Sequence, residues 1–191
     1  MIDLENYPDD IALLFSGGVE STLLLYLIST EIVKRYPNKY LTLYLLDRHN
    51  KPIEKARTVV NIVFNKTKLP VPVKILPIPK VLQHREISIA SKIIGLQHAI
   101  VVCGFNKYPD DDSIRPKHLA NINENTKLKF PFAHVGKNVI VQEFFNLGIS
   151  DILPFTRSCG SDLDMPCKQC FNCRERIWAY NTIKKPVNLG Q

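Results

Sequence analysis

Short apolar runs alternate along this chain with longer stretches whose apolar residues recur at helical spacing. Ile11 to Phe15 is wholly apolar and predicts a buried strand, and Ser21 to Arg35 predicts a helix that ends near Pro37. Tyr40 to Leu46 predicts a second strand, and Ile53 to Lys66 a second helix carrying Ala56, Val59, Val60 and Val63. Val71 to Leu76, set between prolines, predicts a third strand and Val81 to Ile94 a third helix. His98 to Cys103 predicts a fourth strand, with Gly104 opening a loop. The polar stretch 106–125 contains Pro109, the run Asp110-Asp111-Asp112 and Pro116, and predicts loop followed by at most a short helix. Lys137 to Leu147, ended by Gly148, is a further predicted helix. Strand–helix repetition of this kind predicts an α/β fold, an open parallel sheet with helices on both faces. Ligands in such Rossmann-like sheets bind beyond the carboxyl ends of the strands, where Ser16 to Ser21, Asp47 to His49 and Gly104 to Arg115 fall. Nothing marks a second domain, so residues 1–191 are expected to form one.

Composition narrows the class. Of 191 residues, 45% are hydrophobic and 23% charged, the balance of a soluble globular protein. No apolar run reaches the roughly 18 residues of a membrane span, so no membrane partner is expected. The N-terminal Met1-Ile2-Asp3-Leu4-Glu5-Asn6 is acidic and lacks the basic-then-apolar order of a secretory signal, which makes a cytoplasmic location the expectation. The net charge of +7 suits ATP, a small anion or RNA about equally. Lys and Arg are spread along the chain without a dense run or interleaved aromatics, so a nucleic-acid partner is allowed but not favoured.

The first concentrated chemistry lies between the first strand and the first helix, at Ser16-Gly17-Gly18-Val19-Glu20-Ser21-Thr22. A strand that stops at two glycines and restarts as a helix leaves backbone N–H groups unpaired, with the positive end of the helix dipole behind them. That is a site for phosphate, and glycine lets the phosphate approach the backbone. Ser16, Ser21 and Thr22 add hydroxyls. The same pattern also occurs as plain loop chemistry, and it is not a Walker A loop because no Gly-Lys-Ser/Thr closes it.

The second is a cysteine cluster. Cys159, Cys167, Cys170 and Cys173 are four of the five cysteines, spaced C-x7-C-x2-C-x2-C. Thiolates two residues apart in a tight turn reach one tetrahedral ion, and a fourth from a preceding loop closes the shell. In a reducing compartment such clusters are metal sites more often than disulfides. Their softness admits zinc or an iron–sulfur cluster, with structural zinc (Zn2+) the expectation. Cys103, alone at the end of an apolar strand, is expected to be merely buried.

Together the two motifs resemble the PP-loop ATP pyrophosphatases, with Glu20 where that superfamily has aspartate in Ser-Gly-Gly-x-Asp-Ser. Within it the chain is similar to the 7-cyano-7-deazaguanine synthases (the QueC family). Their tail joins Ser-Cys to a three-cysteine cluster, an arginine and an aromatic, here Ser158-Cys159, Cys167, Cys170, Cys173, Arg176 and Tyr180. Looser echoes are Arg48-His49, His84-Arg85-Glu86, Gly104-Phe105-Asn106, Tyr108-Pro109-Asp110, and Pro131 followed by Lys137. The resemblance implies an adenine nucleotide alpha hydrolase-like fold with a zinc knuckle over 158–176. It implies ATP and Mg2+ as cofactors, and a deazapurine carboxylate and ammonia as small-molecule substrates. The carboxylate would be activated as an acyl-adenylate on the way to amide and nitrile.

On that resemblance Ser16, Gly17, Gly18, Ser21 and Thr22 form the phosphate cradle, and Glu20 sits near magnesium or an ATP phosphate. Lys137 and Arg176 stabilise charge, although the first also reads as a solvated helix residue and the second as a brace. Arg85, Arg115 and Asp110 are weaker candidates. Glu20, the shorter segment Pro77 to His84 and the absence of cysteine after Asp110 depart from the family pattern. Two alternatives follow: a related enzyme that modifies a tRNA base or a protein, or a nucleotide-binding module impaired at Glu20. Oligomeric state is left open, a homodimer being compatible.

Overall fold

Side chains of the first strand, β1 (Asp10–Phe15), alternate between two cores. Ile11, Leu13 and Phe15 face one, and Ala12 and Leu14 the other. Burial on both faces explains the unbroken apolar run in the sequence. The computed structural model describes residues 2–47, 53–77, 86–109, 127–160 and 165–190. Its further elements are α1 (Val19–Lys34), β2 (Tyr40–Asp47), α2 (Ile53–Thr67), β3 (Val73–Pro77), α3 (Glu86–Ile94), β4 (Ile100–Cys103), β5 (Leu128–Lys129), α4 (Lys137–Asn146) and α5 (Phe171–Thr182). A 3-10 turn spans Ser150–Phe155.

The sheet is parallel throughout, in the order β3-β2-β1-β4-β5. The chain moves outward from β1 to β2 and β3, then crosses back to build β4 on the other side of β1. Strand order therefore reverses between β1 and β4, and the loops leaving these strands diverge to form a crevice. Helices cover both faces, as predicted, but unevenly among the described residues. The first core takes buried residues from α1, α2, α4 and α5, whereas the second takes Ala90 and Ile94 from α3. No helix among the described residues is long and apolar enough to cross a membrane.

Three differences from the predicted elements have local causes. Helix α1 starts at Val19 rather than Ser21, because Gly18 in extended conformation serves as its N-cap. The fourth strand starts at Ile100 rather than His98. The His98 ring instead bonds the Tyr44 hydroxyl at Nε2 and Asp10 at Nδ1, each at 2.8 Å. Helix α5 had no apolar periodicity to reveal it, because its buried residues are Cys173, Glu175, Arg176, Ala179 and Tyr180. The expectations at Arg48, His49, His84, Arg85, Asp110 and Arg115, and most of the 106–125 stretch, lie outside the described residues.

Candidate nucleotide and metal site

The loop from β1 to α1 is held by its own serines. The Ser16 N–H donates to Ser21 Oγ at 3.3 Å, Gly18 N–H donates to Ser16 Oγ at 3.3 Å, and Ser21 Oγ donates to the Gly18 carbonyl at 3.2 Å. Gly17 has φ +74°, which favours glycine, and a Cβ there would meet Ala56 of α2 at 3.3 Å. The first intrahelical bond of α1 runs from Thr22 N–H to the Gly18 carbonyl. The preceding N–H groups thus have no acceptor within the helix. Gly104, at the exit of β4, lies so close that a Cβ would come within 2.7 Å of Ser21 N. That approach brings the β1 and β4 loops together at the switch point.

The resulting cleft, of about 230 Å³, is lined by Ser16, Gly18 and Glu20 on one side and Gly104 to Asn106 on another. Lys137 and Glu175 form its floor, and Arg157 and Phe171 reach its wall. Three helices begin there: α1 at Val19, α4 at Lys137 and α5 at Phe171, none with a side-chain cap bond. Each brings a positive dipole end to the same space.

Lys137 is buried at 3% exposure between two carboxylates. Its Nζ lies 2.7 Å from Glu20 Oε1 and 2.5 Å from Glu175 Oε2. Asn106 Nδ2 donates to the other oxygen of Glu175 at 2.9 Å. Burial works against the ammonium, but the charges of Glu20 and Glu175 and the bonds to both outweigh it and hold Lys137 above the ordinary lysine range. Burial pushes Glu175 above the usual carboxylate range, with Lys137 and Asn106 opposing the shift. One ammonium against two carboxylates leaves this floor net negative.

The four clustered cysteines gather with their sulfurs all within 4.8 Å of one another. Cys159 Sγ is 3.5 Å from Cys167 Sγ and 4.0 Å from Cys170 Sγ. Lys168 takes φ +61°, turning the chain tightly between Cys167 and Cys170. Backbone N–H groups of Cys167 and Cys170 donate to Cys159 Sγ and Cys167 Sγ at 3.4 and 3.3 Å. Cys170 is the N-cap of α5 and Cys173 stands in its first turn, where the dipole favours thiolate. Backbone N–H bonds from Cys170 and Gln169 lower the Cys167 thiol, whereas burial raises Cys173. Cys103 is buried apart from the cluster.

Ser16, Gly18, Glu20 and Lys137 are brought together on the cleft. Gly17 shapes the turn behind it. Ser21 is buried with its hydroxyl bonded inside the loop, and Thr22 is wholly buried on α1. Arg176 stands apart. Its guanidinium, fully buried, donates to the carbonyls of Leu153, Thr156 and Asn188 at 2.9, 3.1 and 2.7 Å. It ties α5 to the 3-10 turn and the C-terminal segment. Glu175, Arg157 and Phe171 escaped the sequence reading; adjacency to the cysteines was the signal available for all three.

The five-stranded parallel sheet with its serine-glycine loop at the switch point agrees with the open-sheet fold expected from the sequence. No family model matches the chain, and no curated protein matches it. Among solved structures it is similar to the U34-tRNA thiolase NcsA from Methanococcus maripaludis with its [4Fe-4S] cluster, at 15% identity and a TM-score of 0.49. The likeness covers 91% of this chain and 65% of the thiolase chain.

Two expectations are corrected. The zinc knuckle and the Zn2+ cofactor are cut back to a four-thiolate metal site, whose donors do not by themselves select zinc. Nor is the segment an appended knuckle, because Cys170 and Cys173 belong to the helix that walls the cleft. The QueC-like, 7-deazaguanine assignment is likewise withdrawn, no family model or curated relative supporting it.

Proposed function

We propose that this protein is an ATP-dependent enzyme that transfers adenylate to an acceptor and releases pyrophosphate. The observation that carries the proposal is the meeting of three uncapped helix N-termini and a buried lysine in one cleft beside a serine-glycine loop. Such an arrangement attracts polyanions and offers many N–H donors to phosphate. An acceptor oxygen attacks the α-phosphorus, the bond to the bridging oxygen of the β-phosphate breaks, and the electron pair leaves with pyrophosphate. Lys137, fixed at the floor, is placed to stabilise charge as it moves onto the leaving group. Magnesium bound with the nucleotide would offset the net negative floor. Ser16, Gly18 and the first turn of α1 would hold the phosphates.

The acceptor reading favoured here is a nucleobase in tRNA. Phe105, Tyr108 and Phe171 stand edge to face in a row, with ring centroids 5.5 and 5.3 Å apart, along the cleft wall. All three are half-buried, and the part of an aromatic ring left open to a cleft is a stacking platform for a base. The +7 net charge suits a polyanionic partner. The metal site is read as an iron–sulfur centre. Cys167 and Cys170 are only half-buried, and the neighbouring Ser158 and Phe171 line the cleft, so a centre held there would lie next to the cleft without lining it.

The test follows pyrophosphate from magnesium ATP with and without unmodified tRNA, using anaerobically purified protein. The expected result is release stimulated at least about 10-fold by tRNA. Release without any tRNA dependence would reject the acceptor reading, and no release with any nucleic acid or small acceptor would reject adenylation.

A further inference from the structure

Glu175 has no counterpart among the residues the motifs single out, yet it is the more deeply buried of the two carboxylates that hold Lys137. Its side chain is 1% exposed, against 12% for Glu20. Both of its oxygens are committed, Oε2 to Lys137 and Oε1 to Asn106 of the β4 loop. A buried carboxylate is costly unless it is paired and hydrogen-bonded. A hydrophobic residue would fill this place on α5 more cheaply if packing were all that was required. The carboxylate instead links the α4 N-terminus, the β4 loop and α5 at the cleft.

We propose that Glu175 is the positioning residue of the ATP site, holding the Lys137 ammonium between α5 and the phosphate loop. The inference rests on the adenylation reading for its kinetic consequence, but not for the geometry it asserts. Lys137 has three N–H donors; Glu175 takes one from α5 and Glu20 one from α1. The two anchors stand on different elements, so together they fix where the ammonium points. With Glu20 alone the lysine could swing with the first turn of α1. Glu175 thereby deepens the account of Lys137: the lysine serves a transferring phosphate only where its charge is retained and its place is fixed.

Among the described residues, the titratable groups that face Lys137 are Glu20 from α1, Glu175 from α5 and Tyr108 from the β4 loop, and Arg157 is a further charged side chain on the same cleft. Removing the Glu175 charge leaves Glu20 as the one carboxylate against the burial that disfavours the ammonium.

The experiment compares wild type with Glu175→Gln and Glu175→Asp by two independent readouts. The first is the pH titration of Lys137 itself, followed by NMR of selectively labelled lysine with Lys137→Met used for assignment. The expected result is a midpoint lowered by about one pH unit or more in Glu175→Gln, and restored at least in part in Glu175→Asp. A folded Glu175→Gln whose Lys137 titrates as in wild type would overturn the proposal, whatever its activity. The second is steady-state pyrophosphate release. The expected result is kcat lowered about 10- to 100-fold with KM for ATP changed less than about 3-fold. An unchanged kcat, or a loss confined to KM, would overturn the positioning role. If wild type itself releases no pyrophosphate the adenylation reading fails, while the NMR arm still decides the role of Glu175. Should Glu175→Gln not fold, the titration in Glu175→Met decides, an unmoved midpoint there contradicting the proposal.

Discussion

At Lys137 a buried ammonium is set against two carboxylates, and the consequences of breaking that balance differ from those of a surface lysine. Lys137→Met leaves Glu20 and Glu175 facing each other without a counter-charge, and is expected to cost about 3–5 kcal/mol of stability. The pH dependence has a definite sign. Because the folded state holds Lys137 above its ordinary value of 10.5, its contribution is fully present below that value and lost as pH rises through the higher folded one. The stability difference between wild type and Lys137→Met, read from denaturant titrations, should therefore stay level from about pH 7 to 10 and shrink above. A difference that shrinks below about pH 9 would contradict the placement. Gly104 permits a second test. Gly104→Ala would bring a Cβ within 2.7 Å of Ser21 N and 2.9 Å of the Glu20 carbonyl carbon. It is expected to cost about 1–3 kcal/mol and to weaken nucleotide binding by pushing the β4 loop off the first turn of α1, with metal content unchanged.

At the scale of elements, α5 joins the two chemistries. Its N-cap and first turn carry Cys170 and Cys173, while Phe171, Asn172 and Glu175 face the cleft. On the proposed function, losing a metal from the four cysteines should therefore be felt at the cleft. In Cys170→Ser and Cys173→Ser the expected outcome is loss of the bound metal with a fall in nucleotide affinity of about 10-fold or more, checked by elemental analysis and calorimetry on the same samples. Metal-free protein with wild-type affinity would show the two to be independent. The same helix shows where a sequence stops being informative. The Ser-Gly-Gly loop and the cysteines are legible because a glycine turn and a spaced set of thiolates act locally. The parallel sheet is legible because β1, β2 and β4 are buried runs. Helix α5 hides its inward face behind Glu175 and Arg176, whose burial is justified by partners far off in sequence: Asn106 and Lys137 for one, Leu153, Thr156 and Asn188 for the other. The motif could not say whether Arg176 meets a ligand or a set of carbonyls; three distant carbonyls decide its geometry.

For the whole molecule, the open question is what the positive charge serves. A tRNA partner predicts binding that weakens at least about 10-fold between 50 and 200 mM salt, measured by filter binding or fluorescence anisotropy, whereas a small free acceptor predicts little RNA affinity at any salt. The sheet topology bears on both readings equally, since it creates the crevice between β1 and β4 without specifying what enters beside the nucleotide. Binding of a non-hydrolysable ATP analogue with magnesium, followed by calorimetry in wild type, Gly104→Ala and Lys137→Met, tests the central claim most directly. One site per chain in wild type, weakened about 10-fold or more in both variants, is the predicted result. No binding by the wild-type protein, or equal binding by folded forms of all three, would contradict it.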